Sequence, residues 1–249
     1  MRDDQARGLR QLFARRTCHV AAVCGTEGAK VCIDISVAAS AMGYGVCVLD
    51  RTVGDAARVI GRRARFDLAH VLDHDCTLEQ ALLVGHQRIA VLPAARGLER
   101  IGAESGDWQS TLQRALPALA AHFDLWLVNG LLPGHVPAAP MILAINPSAA
   151  AVTNAYGHIK ALARAQGRRR FGMIVHGAAS SAAARRVCDC VGDTARRFLG
   201  AELELYGWVP DAGTQNDIGS QQRRADAFTR IADKLMTELS TPLLRTGSC

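Results

Sequence analysis

Seven short apolar runs punctuate the chain, each too short for a helix of ordinary length and, but for Leu125–Asn129, each followed by a segment with helical character. The runs are His19–Cys24, Val46–Asp50, Ile89–Pro93, Leu125–Asn129, Met141–Ile145, Phe171–His176 and Glu202–Trp208. Runs of this length bounded by turn residues read as strands buried on both faces. The intervening segments predict helices over Val31–Met42, Leu78–Val84, Asp107–Ala121, Ala149–Gln166, Ser180–Leu199 and Gln221–Leu239. Strands alternating with helices build a mostly parallel sheet covered on both sides. The expectation is a doubly wound α/β fold with about seven to eight strands and helices on both faces. At 249 residues and 49% hydrophobic content the chain can bury one sizeable core,. It contains no internal repeat and no linker long enough to divide it.

Composition removes several classes of function. No apolar run reaches the roughly 18 residues of a membrane span, and the first residues, MRDDQARGLRQLFARR, are charged where a secretion signal is apolar, so a cytoplasmic location is expected,. Eight cysteines lack the CxxC spacing of zinc sites, and Cys188 with Cys190 has no second cluster, so reduced thiols and no metal are expected,. The net charge of +6 invites a nucleic-acid reading,. Yet the arginines are scattered, lysine is confined to Lys30, Lys160 and Lys234, and aromatic content is 5%, too thin for a stacking platform,. The run Arg168, Arg169 and Arg170 reads as a solvated helix cap. The stripe of Phe228, Ile231, Leu235, Met236 and Leu239 reads as core, and stable membrane binding is not expected.

In doubly wound sheets ligands bind beyond the carboxyl ends of the strands, and the residues there are informative. After the first strand, CGTEGAKV provides Gly25 and Gly28 but no lysine followed by a hydroxyl, which the phosphate-cradling pattern GxxxxGK[ST] requires,. In one register the pair becomes Ala29 and Lys30; in the other Lys30 is followed by Val31. Glu27 places a negative charge in the loop itself. Asp50, Arg51 and Thr52 follow the second strand, Asn129 closes the run Leu125–Asn129, and His176 closes Phe171–His176. Asp50 is open to two readings, a metal-facing carboxylate or a cap for the next turn through backbone amides.

These segments, in this order, resemble FlhG, a member of the MinD/ParA group of deviant P-loop ATPases. DQARGLR (4–10) fits the family's DQAxxLR segment; FDLAHVLDHDCTLEQALL (66–83), VLPAARGLERI (91–101), NPSAAAVTNAYGHIKAL (146–162) and ARRFLGAELELYGWVPD (195–211) resemble its connecting and strand segments. The resemblance implies a regulator of bacterial flagellar number or placement. It implies an N-terminal helix, residues 1–16, that engages and stimulates an FlhF-type signal-recognition GTPase through Asp4, Gln5, Ala6, Leu9 and Arg10, ahead of a MinD-like α/β domain over 17–249. Flagellar C-ring components or a transcriptional regulator are further partners that it implies. The departures fall on one site. KGGVGKT becomes CGTEGAKV, the second aspartate of DAD becomes Thr52, the next strand-closing aspartate becomes Asn129, and His176 stands where the family reads adenine. Gly25, Gly28, Lys30, Asp50, Thr52, Asn129 and His176 therefore outline a degenerate nucleotide site. Phosphoryl transfer rests on positioning and charge neutralisation, so a pseudo-ATPase with no catalytic residues and no cofactor is expected. ATP and magnesium enter only if Lys30 still reaches the phosphates. An active ATP-dependent switch is the alternative, and a basic DNA-coating protein a weaker one.

Overall fold

The computed structural model describes residues 18–85, 89–105, 107–132, 139–211 and 218–241. The expected partner helix, with Asp4, Gln5, Ala6, Leu9 and Arg10, lies outside the described residues. Eight strands form one sheet: β1 (His19–Cys24), β2 (Val46–Asp50), β3 (Leu83–Val84), β4 (Ala90–Pro93), β5 (Leu125–Asn129), β6 (Met141–Ile145), β7 (Arg170–His176) and β8 (Glu202–Val209). Their spatial order is β3-β4-β2-β5-β1-β6-β7-β8, and β3 alone runs antiparallel, against β4. Pairing of β1 with both β5 and β6 places the first loop at the centre of the sheet's carboxyl edge.

The chain's alternation explains the two layers of core. Successive side chains of a strand point to opposite faces. Along β1, Val20, Ala22 and Cys24 join one cluster while Ala21 and Val23 join the other. The second face is covered by α1 (Gly28–Ala41), through Val31 and Ile35, and by α10 (Ile218–Ser240), through Phe228, Ile231 and Leu235. The stripe expected to be core is core. The first face carries α3 (Leu68–Leu72), α4 (Leu78–Ala81), α5 (Ala95–Glu104), α6 (Trp108–Ala115), α7 (Pro117–His122), α8 (Ala149–Gln166) and α9 (Ser181–Leu199). Short α2 (Asp55–Val59) packs beside α1 at the carboxyl end of β2. Each fully buried Leu, Ile or Val contributes about 1.5–3 kcal/mol, so a two-sided core is the main stabilising term.

Local chemistry corrects several boundaries. The helix expected over Leu78–Val84 stops at Ala81: the Thr77–Gln80 capping box supports one turn, then Leu83 and Val84 pair with Val91 and Ala90 as an edge strand. The helix expected over Asp107–Ala121 is two helices. Leu116, preceding Pro117, sits at φ −130° and ψ 69°, because the proline ring excludes the helical conformation from its predecessor,. Arg168 is not a solvated cap. It is buried and donates to the Ala139 carbonyl at 2.9 Å, while Arg169 reaches the helix-end carbonyl of Ala163 at 3.2 Å and Arg170 stays exposed. Cys188 is buried and Cys190 exposed on the same helix, and no group of three or more metal-ligating side chains exists among the described residues. No helix among the described residues is long and apolar enough to cross a membrane.

Asp67 joins two helices that the sequence left unassigned. Its carboxylate accepts from Ala69 N at 2.9 Å, capping α3, and from Gly97 N at 3.0 Å and Arg96 N at 3.3 Å in the first turn of α5. Replacing it with alanine orphans donors at both helix starts. Asp67→Ala should lower stability by about 1–2 kcal/mol in urea denaturation, with Asp67→Asn retaining most of it; a loss below about 0.3 kcal/mol would show that the two helices do not depend on this cap.

A degenerate phosphate loop at the sheet's carboxyl edge

Between β1 and α1 the chain turns through Gly25, Thr26 and Glu27. Gly25 has φ +110°, and a β-carbon there would lie 2.5 Å from the Ala144 carbonyl oxygen, so only glycine lets the loop lie against β6,. Glu27 N donates to that same carbonyl at 3.0 Å and Gly28 N donates to Gly25 O at 3.0 Å. A phosphate cradle works by leaving such amides pointed at the ligand. Here two of them are already paired. Because α1 begins at Gly28, the register of a strand, loop and helix places Ala29 at the lysine position and Lys30 at the hydroxyl position,. A methyl group stands where a phosphate-binding cation belongs.

At the end of β2, Asp50 is fully buried, and both of its carboxylate oxygens are engaged by protein donors. Oδ1 accepts from Thr52 N at 3.1 Å, Thr52 Oγ1 at 2.6 Å and Asn129 Nδ2 at 2.9 Å, and Oδ2 accepts from Ala56 N at 3.0 Å. A carboxylate oxygen offers about two acceptor sites, so Oδ1, with three donors, is fully engaged and Oδ2 holds one,. Thr52 Oγ1 in turn accepts from Asp55 N at 3.0 Å. Asp50 thus acts as the turn cap that the sequence left open as one of two roles. The Oδ1 of Asn129 would lie 3.1 Å from a β-carbon at position 28, so the carboxamide is packed directly beneath the loop. This donor set does not suit a magnesium ion. It presents no free carboxylate oxygen, and the hydroxyl of Thr52 is engaged on both sides.

A second network, missed from the sequence, crosses the other side of the loop. Asn146 Nδ2 donates to Glu27 Oε1 at 3.2 Å, and Glu27 Oε2 lies 3.6 Å from His176 Nδ1. His176 Nε2 lies 3.0 Å from Arg224 Nη2, and the same guanidinium reaches Asp34 at 3.8 Å. His176 therefore sits where expected but is enclosed by protein groups. Glu27, Lys30 and Asp34 recur at helical spacing and were legible as one face; Arg224, from a distant helix, was not. Gly25, Thr26, Lys30, Thr52 and Asn129 meet around an open cleft of about 400 Å3. Lys30 is exposed there.

The network has opposing linkages to pH. Burial raises the Asp34 carboxyl from 3.8 to about 6, against the pull of Arg224 and Lys30. Burial, then the positive charges of Lys30 and Arg224, lowers His176 from 6.5 to about 4. Between pH 4 and 6 the folded state holds more protons than the unfolded at Asp34, so that contribution falls as pH rises. At His176 the folded state holds fewer, and that contribution grows as pH rises to about 6.5. Relative to the parent chain, the urea midpoint of Asp34→Asn should therefore climb more steeply over this range, and that of His176→Asn less steeply. Three parallel curves would contradict the assignment.

No protein-family model matches the chain. It is 25% identical over 236 residues to the antiactivator FleN of Pseudomonas aeruginosa, a match covering 89% of this chain and 84% of FleN. Among solved structures, the MinD cell division protein of Aquifex aeolicus superposes with a TM-score of 0.62 at 18% identity, over 91% of this chain and 100% of that one. Cobyrinic acid a,c-diamide synthase of Mycobacterium smegmatis, with a bound ATP analogue and magnesium, gives 0.59 at 19% identity, over 90% and 96%. McdA of Cyanothece in complex with ATP gives 0.57 at 11%, over 89% and 96%. Sheet topology and the structural comparisons agree: the chain has the α/β fold of the MinD/ParA-type P-loop ATPases, and its sequence is similar to that of FleN.

Proposed function

We propose that the protein is a FlhG-like regulator of flagellar assembly that works as a pseudo-ATPase, an adaptor whose output does not depend on nucleotide turnover. The observation that carries this reading is the engaged Asp50 carboxylate, both of whose oxygens are bonded within the protein, to Thr52, Ala56 and Asn129. Hydrolysis of a phosphoanhydride needs a metal ligand, a cation on the transferred group and a residue that orients water. Thr52 and Asn129 replace the carboxylates, Ala29 replaces the lysine, and no cofactor is required by what remains. Lys30, exposed in the cleft, favours a second reading in one respect, that a phosphate is held there without turnover.

The partner on this reading is an FlhF-type GTPase, engaged by residues 1–16 with Gln5 as the polar group nearest the chemistry and Leu9 as the apolar anchor. FleN is an antiactivator; a transcriptional activator, or a component of the flagellar C-ring, is the second class of partner. The test is GTP turnover by the FlhF-type GTPase of the same organism. The full chain should raise it equally with and without ATP, Gln5→Ala should remove most of the increase while binding persists, and Leu9→Ala should weaken binding itself. No stimulation by the parent chain, or stimulation that requires ATP, would overturn the proposal.

A further inference from the structure

A trough of about 600 Å3 opens beside the degenerate loop, between the turn after β2, the segment joining α2 to α3 and the start of α5. Five arginines line it: Arg58, Arg62, Arg63, Arg65 and Arg96. Two carboxylates lie near them, and both are engaged. Asp55 pairs with Arg58, and Asp67 accepts the amides of α3 and α5. The side chains of Arg62 and Arg63 have no partner among the described residues and are exposed. Thr52 and His70 add polar groups, and the apolar part of the lining includes Phe66, Pro93 and Ala57, with Val53 94% exposed. The trough shares Thr52 and Arg58 with the cleft that holds Lys30, so positive charge continues across both.

Guanidinium groups without counter-ions, as on Arg62 and Arg63, fit carboxylates or phosphates through paired hydrogen bonds. Three features choose among the possible occupants. A small anion would use the arginines and leave Val53 in water. A single-stranded nucleic acid would need free aromatic faces, but the Phe66 ring meets His70 edge-on at 5.8 Å and carries Arg65 over its face at 5.1 Å, and a duplex, held by its phosphates, would leave Val53 unused,. The chain's own ends have the wrong charge, residues 1–17 having five arginines against two aspartates and 242–249 one arginine and no acid.

We propose that this trough is a docking site for an acidic segment of a partner protein, with Asp or Glu side chains on Arg62, Arg63 and Arg96 and an apolar side chain against Val53. The site is independent of residues 1–16 and of any nucleotide. The probe is a fluorescein-labelled peptide of about 12 residues in which leucines are spaced among glutamates, titrated with the full chain and followed by anisotropy. Binding should weaken at least about tenfold in Arg62→Glu/Arg63→Glu and severalfold in Val53→Ser, and fall with salt. A control with the same change in net charge, Arg185→Glu/Arg186→Glu on α9, should stay within about twofold of the parent. Failure of the parent to bind, or equal losses in both reversals, would overturn the site. So would tighter binding of a duplex DNA of about 20 base pairs that is lost in the first reversal.

Discussion

The buried charge of Asp50 organises the carboxyl edge of the sheet. An ionised carboxylate removed from water must be surrounded by donors. The chain supplies them from the following turn, from the start of α2 and from the carboxamide of Asn129 on the neighbouring strand. The last of these decides the chemistry. Two carboxylates at these paired strand ends would face each other within hydrogen-bond distance and would require a shared proton or a metal between them. An amide nitrogen at 2.9 Å satisfies the charge with neither. The carboxamide oxygen then lies beneath Gly28, and with Gly25 pressed on β6 the loop is held from both sides.

The same substitution of internal partners for a ligand recurs across the loop. Glu27 faces Asn146 and His176, and His176 and Asp34 flank Arg224. Groups at a strand edge that binds anions in related folds are here tied to one another, while the sheet and its two cores keep the common ground plan. Scaffold and site therefore diverge independently. Burial of apolar strands fixes the first, and a few charge-neutralising residues fix the second. The unpaired positive charge lies to one side, on Arg62 and Arg63, where the cleft continues into the arginine-lined trough.

Seven of the eight strands were legible, all but the two-residue β3, because strands buried on both faces are continuous apolar runs such as LWLVN and MILAI. Long helices with a clear stripe, α8 to α10, were legible for the same reason. Short α2 and α3 were not, since five residues carry less than two turns of periodicity and their stability comes from caps that bond across the chain. The ten residues of α5 were missed although Leu98 and Ile101 share a face, because Gly97 reads as a breaker; it packs against Leu68 instead. Pro117 was a visible signal that should have divided the helix over Asp107–Ala121. At the site, the strand-end residues were singled out from sequence, and the cap made by Asp50 was one of two readings left open there. Arg168 and Arg224 were not, because only tertiary contact tells a buried arginine from a surface one.

The central claim is that the strand-end site is closed by its own residues. The direct measurement is a titration of isotopically labelled protein with magnesium and ATP, read residue by residue from amide resonances. The account predicts that Gly25, Glu27, Gly28 and Thr52 stay unshifted at millimolar ATP, with any change limited to salt-sensitive shifts near Lys30. Saturable, magnesium-dependent shifts at Gly25, Gly28 and Thr52 would contradict it.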